Sequence, residues 1–121
     1  MIQGIFVDNT PYIRLTLINE GVLKNEWFIL DTGFSGDLHI SHNLKEELGL
    51  NASLVVPMAM ANGLILNLPR VGLQVSMEGR IEELQAVISK GASLAGVGFL
   101  SKFAYRAIFD GKFKTVQLVK A

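Results

Sequence analysis

Asp31-Thr32-Gly33 ends the most apolar run in the chain, Phe28-Ile29-Leu30, and the backbone then turns through Phe34-Ser35-Gly36. A carboxylate at the end of a buried strand is costly unless it is paired, hydrogen-bonded or used. Two uses fit this type and place. Asp can open an ordinary turn that Gly completes, or it can act as a general acid or base toward a substrate that approaches a glycine-lined loop. Other chemistry-bearing groups carry less. Ser35, His39, Ser41 and His42 put hydroxyls near imidazoles, as nucleophile activation requires, but no Gly-x-Ser-x-Gly elbow accompanies them. Both histidines fit a surface strand end and a helix start. Gly96-Val97-Gly98-Phe99-Leu100-Ser101 imitates the opening of a dinucleotide fingerprint, yet the chain ends before the long helix, strand and acid that motif needs. Glu46-Glu47 and Glu82-Glu83 read as solvated faces.

Composition limits what these residues can serve. The 121 residues are 50% hydrophobic, enough for one core and one domain over 1–121 and too few for two full lobes. Eleven basic residues balance eleven acidic ones without a basic stripe, so no nucleic-acid partner is expected. With no cysteine and two histidines, thiolate sites are excluded and a zinc site is not expected. The N-terminus lacks a basic segment followed by an apolar one. The apolar stretch Leu54 to Leu68 is broken by Pro57, Asn62, Gly63 and Asn67, which is too interrupted for a membrane span. The expectation is a cytoplasmic protein without a membrane partner.

The elements that must position Asp31 are mostly strands. Ile13, Leu15 and Leu17 alternate with polar residues over Tyr12 to Ile18, the period of a half-buried strand. Glu20-Gly21 turns the chain into Val22 to Leu30, whose apolar end predicts burial on both faces. After the short strand Leu38-His39-Ile40, Ser41 as cap, Leu44 and Leu48 at spacing four, and Gly49 as stop predict a short helix. Two apolar runs flank Asn62-Gly63, a dipeptide suited to tight hairpins with positive φ at both central residues. The second run passes a bulge or bend at Pro69-Arg70, and Glu78-Gly79 turns it into Arg80 to Ser89. A glycine-rich segment from Leu94 leads to a short helix around Ser101 to Phe103. Two last strands flank Asp110-Gly111, again a hairpin dipeptide.

Taken together, Phe-Ile-Leu-Asp31-Thr32-Gly33, Ser35-Gly36, the Asn62-Gly63 hairpin and the apolar-glycine segment Leu94 to Leu100 form an ordered set. From Tyr12 to about Val119 the sequence resembles a retropepsin-like (clan AA) aspartic protease of the small single-lobe bacterial and archaeal type. The resemblance implies an all-β, closed-barrel acid-protease lobe with one or two short helices, working as a two-fold homodimer. It implies an aspartic endopeptidase acting on a peptide or unfolded protein, with no metal or organic cofactor. Each chain would supply one catalytic Asp31, consistent with a single Asp-Thr-Gly in the sequence and with a two-fold axis joining like residues. Two adjacent carboxylates share a proton, so one acts as base on a water while the other acts as acid.

By the same resemblance, Thr32, Gly33 and Ser35 support the active-site loop and the dimer. Phe34, Ala61, Asn62 and Gly63 would line the cleft and the flap that closes on substrate, and Gly96 and Phe99 would brace the loop from behind. Three departures stand out. Phe34 occupies a place where Ala, Ser or Thr is usual, Gly98 one where Asp or Asn is common, and the hairpin tip lacks the glycine-rich sequence of the retroviral enzymes. These leave a second reading, a catalytically weak or inactive dimerisation or peptide-binding module. A third is an unrelated small β-barrel in which Asp31 only opens a turn.

Overall fold

The computed structural model describes residues 1–52 and 54–121. In chain order the elements are β1 (Ile2–Gln3), β2 (Ile5–Val7), β3 (Thr10–Asn19), β4 (Val22–Leu30), β5 (Leu38–Ile40), α1 (His42–Glu47) and β6 (Leu54–Ala59). They continue with β7 (Ile65–Met77), β8 (Arg80–Ile88), β9 (Leu94–Ala95), α2 (Val97–Lys102), β10 (Tyr105–Asp110) and β11 (Thr115–Lys120). The larger sheet has the order β2-β3-β4-β9-β5-β8-β7-β6. A further ladder, Thr16↔Ser76 to Ile18↔Gln74, joins β3 to β7 and closes β3-β4-β9-β5-β8-β7 into a ring. The barrel follows from that closure, because it leaves the inward faces of the ring no exit to solvent. A small sheet, β1-β11-β10, ties the two ends of the chain together.

The alternation along β3 becomes burial: Ile13, Leu15 and Leu17 are fully enclosed. Phe28, Leu38, Ile40, Leu73, Val75, Leu84 and Ala86 complete the same core from the other ring strands. Each large side chain removed from water contributes about 1.5–3 kcal/mol, which is what holds β4 and its terminal acid in place. Phe99, Phe103 and Tyr105 join the same core as an aromatic group, with ring centroids 5.3 to 6.2 Å apart. Tyr105 also donates its hydroxyl to Glu78 Oε1 at 2.7 Å. Burial first, then the Glu78 hydrogen bond and charge, push the Tyr105 phenol well above the ordinary tyrosine range.

Local chemistry explains the turns. Glu20-Gly21 and Glu78-Gly79 are two-residue hairpin turns with positive φ at both positions, the geometry that matches strand twist. Ser41 caps α1 through Leu44 N, and Gly49 ends it at φ 66°. The two other hairpins differ from expectation. At the β6–β7 tip, Gly63 N bonds Met60 O, so Ala61 and Asn62 are the central residues and Gly63 alone takes positive φ, at 84°. At the β10–β11 tip, Asp110 Oδ1 accepts from Lys112 N and Phe113 N. A longer loop results, and Lys114 rather than Gly111 adopts positive φ.

No bulge interrupts β7 at Pro69, since its register with β6 runs one-to-one from Ile65 to Arg70. Pro69 pairs with Val55 on β6, one position before Arg70 begins the ladder to β8. A residue without an N–H is tolerated where only one edge of the strand is paired. The second helix begins earlier than expected, at Val97, because Gly96 is its N-cap and Gly98 lies inside it. Among the described residues, no helix is long and apolar enough to cross a membrane.

Candidate active site

Asp31 leaves the end of β4 with its backbone fixed on both sides. Its N–H donates to Ala95 O at 2.9 Å, and its carbonyl accepts from Phe34 N at 3.1 Å. The carboxylate Oδ1 accepts from Gly33 N at 2.9 Å. Strand β9 pairs in parallel with β4 at Ile29↔Leu94 and Leu30↔Ala95, and antiparallel with β5 at Leu38↔Ala95. It therefore lies between the two strands that the Asp31-to-Asp37 loop connects, and the loop arches over it. Gly96 N donates to Asp37 O and Val97 N to Phe34 O, so the arch is stitched to the segment behind it.

This crossing dictates glycine at two places. A Cβ on Gly96 would collide with the carbonyl oxygens of Gly36 and Phe34, and one on Gly98 would collide with Asp37 Oδ1. Asp37 is the residue that the sequence alone did not single out. Its Oδ2 accepts from Gln85 N on β8 at 2.9 Å and from Lys102 Nζ on α2 at 2.6 Å. The carboxylate thus clamps the loop to both neighbouring elements, and it fills the space that a side chain at 98 would need. An acid six positions after Asp31, directly before a buried strand, was the signal available.

Phe34 is half-buried, and its ring folds back over the loop. A Cβ on Gly36 would stand 2.6 Å from the ring, and one on Gly96 2.7 Å from it. The bulky residue is thus accommodated by the glycines around it. Thr32, Gly33 and Ser35 are exposed, Gly96 is buried, and Phe99 is fully buried in the core.

Two hollows meet at Asp31. One, about 360 Å³, is lined by Asp31, Gly33 and Phe34 on one side and by Met58, Ala61 and Leu68 of the β6–β7 hairpin on the other. The second, about 410 Å³, is lined by Thr10, Pro11, Asp31, Thr32 and Phe109. Of the four expected cleft residues, Phe34 and Ala61 line the first hollow. Asn62 and Gly63 form the exposed turn above it, where Asn62 Oδ1 accepts from Leu64 N. The histidines separate: His42 opens α1, whereas His39 lines the first hollow and hydrogen-bonds Ser89 Oγ through Nε2 and Ala92 O through Nδ1. Ser89 is fifty positions away, a partner that lies outside the Ser35, Ser41 and His42 neighbourhood in sequence. Among the described residues, no group of three or more His, Asp and Glu side chains converges as metal ligands do.

No protein-family model matches the sequence, and no curated protein matches it. Structure does connect it to known proteins. The crystal structure of a retropepsin-like aspartic protease from Rickettsia conorii is similar over 98% of this chain and 87% of its own, with a TM-score of 0.66 and 19% sequence identity. The chain has the retropepsin-like fold.

Proposed function

We propose that the protein is a homodimeric aspartic endopeptidase in which each chain contributes one Asp31. The observation that carries this reading is the position of Asp31: a carboxylate at a rigid strand end, facing a cleft roofed by the β6–β7 hairpin. A single carboxylate cannot be acid and base at once in this reaction, and the chain has one Asp-Thr-Gly. The second comes from symmetry. Supporting a partner chain, Phe109 beside Asp31 and Thr32 is 44% exposed, and Val7, on the strand paired with Thr10, is 53% exposed.

In the dimer the ionised Asp31 takes a proton from a water held between the pair, and the water oxygen bonds the peptide carbonyl carbon. The protonated Asp31 of the second chain gives its proton to the carbonyl oxygen. Collapse of the resulting diol breaks the C–N bond, and the amine leaves with a proton returned by the dyad. Gly33 leaves room for substrate backbone beside the carboxylates, and the hairpin excludes water from the cleft.

The test is cleavage of a diverse peptide library by wild type and by Asp31→Asn, with dimerisation followed by sedimentation. The expected result is a dimer whose cleavage disappears in the variant. Equal cleavage by Asp31→Asn removes the residue from the chemistry. Binding of extended peptides without cleavage by wild type makes the protein a peptide-binding module of the same fold.

A further inference from the structure

The small sheet ends in an open edge beside the site. Strand β11 is paired on both sides, with β1 and with β10, so its long free edge belongs to β10. Phe109 of that strand lines the second hollow together with Asp31 and Thr32. The larger sheet ends at β6, but that edge is guarded. Met60 N donates to Leu64 O across the β6–β7 hairpin, so Pro57, at odd spacing from Met60, faces outward. A proline there removes a donor from the middle of the edge, a usual defence against strand addition. Strand β10 carries no proline.

Backbone bonds fix which groups the β10 edge offers. Gly4 N donates to Val116 O, so Val116 faces β1 and its neighbours Thr115 and Gln117 face β10. Their partners, Asp110 and Ile108, therefore face β11. The alternate residues Tyr105, Ala107 and Phe109 turn their N–H and C=O groups to the open side. Side chains alternate as well. Ala107 pairs with the fully buried Leu118 on the core face, which leaves Arg106, Ile108 and Asp110 together on the outer face. Ile108 is 46% exposed. Among the described residues Arg106 makes no ion pair in its own chain.

We infer that two copies of the chain join by pairing β10 with β10, antiparallel, across a two-fold axis at Ile108. In that register Ala107 of one copy and Phe109 of the other exchange backbone bonds, and Ile108 meets its own counterpart. Arg106 of each copy then lies opposite Asp110 of the other. Moving the axis to Ala107 or Phe109 keeps the backbone bonds but sets Arg106 against Ile108 or Lys112, so charge selects the register. The product is a continuous sheet of β1-β11-β10 from each copy, which brings Phe109, and with it the Asp31 loop, to the axis. The inference rests on the proposed shared-dyad reading and names the surface that unites the two Asp31 residues.

The chain has no cysteine, so Ile108→Cys places one thiol per copy at the axis. Opposed residues that exchange no backbone bonds stand about 4.5 Å apart at Cα, within disulfide reach. Oxidised glutathione should convert most of Ile108→Cys into a covalent dimer that still cleaves peptides, and little of Leu23→Cys, exposed at the start of β4. Arg106→Asp and Asp110→Arg should each weaken the dimer about tenfold in sedimentation. Their equimolar mixture should restore it, since each acid then faces an arginine. Asp110→Arg also gives up the loop bonds to Lys112 and Phe113; if it does not fold, the cysteine pair and Arg106→Asp decide. A wild-type dimer whose Ile108→Cys form cross-links no better than Leu23→Cys, or that Arg106→Asp leaves unaffected, overturns this interface and leaves the shared-dyad reading standing. A covalent Ile108→Cys dimer that cannot cleave what wild type cleaves separates the surface from the Asp31 site and also overturns the inference. Wild type that stays monomeric at every concentration overturns both.

Discussion

Replacing Asp37 by Ala removes one carboxylate that serves two elements. Gln85 N–H on β8 loses its acceptor, a loss of about 1–3 kcal/mol for a part-buried donor. The Lys102 contact, with the lysine side chain 42% exposed, adds under about 1 kcal/mol. The sum is about 1–4 kcal/mol of lost stability. Gly98→Asp alone should cost about as much, since its Cβ would enter the Asp37 carboxylate and press on Gly36. Combined, the two changes exchange the residue that carries the acid: Asp37→Ala empties the space, and the new carboxylate at 98 projects into it.

The double variant should therefore be more stable than the sum of the single effects predicts, by at least about 1 kcal/mol of coupling. A residual cost remains, because a Cβ at 98 still lies 3.0 Å from the Gly36 carbonyl. Urea unfolding followed through Trp27 fluorescence, at one fixed protein concentration, measures all four proteins. Strict additivity, or no loss in Asp37→Ala, would refute the claim that Asp37 occupies and replaces a side chain at 98.

Other expectations follow from the same contacts. Gly96→Ala meets two backbone carbonyls that cannot swing aside, so it should lose more than about 3 kcal/mol, visible as loss of the cooperative urea transition. Phe34→Ala should cost about 1–3 kcal/mol for a half-buried ring, and in that background Gly36→Ala should become nearly harmless because the ring it would strike is gone. Tyr105 keeps its proton in the folded state above the pH at which the unfolded phenol ionises. Its contribution is full below about pH 10 and is lost as pH rises beyond. The alkaline fall in stability should therefore be shallower in Tyr105→Phe, and identical slopes would contradict the assignment.

The parts of this fold that are local in sequence could be read from it. Ile13-Leu15-Leu17 alternate because one face of β3 meets the core, and Ser41 and Gly49 bracket α1 through bonds to their own helix. The tripeptide at Asp31 was legible because a carboxylate ending an apolar strand violates the local pattern. What escaped depends on partners far along the chain. Asp37 finds Gln85 and Lys102, His39 finds Ser89, and β3 finds β7 only once the barrel closes. The strands β1 and β2 are too short to show a period and exist because β11 and β3 offer edges. Asn62-Gly63 marked the correct hairpin but not its turn, since one extra residue, Ala61, shifts which position must be left-handed.

The central claim is that two chains each give one Asp31 to a single site. Mixing wild type with Asp31→Asn at constant total protein, after exchange of subunits, tests it through the rate of peptide cleavage. At equal proportions, random pairing predicts about one quarter of the wild-type rate, because only dimers with two intact carboxylates react. A rate of about one half, linear in the wild-type fraction, would mean that each chain works alone, and the shared dyad would be wrong.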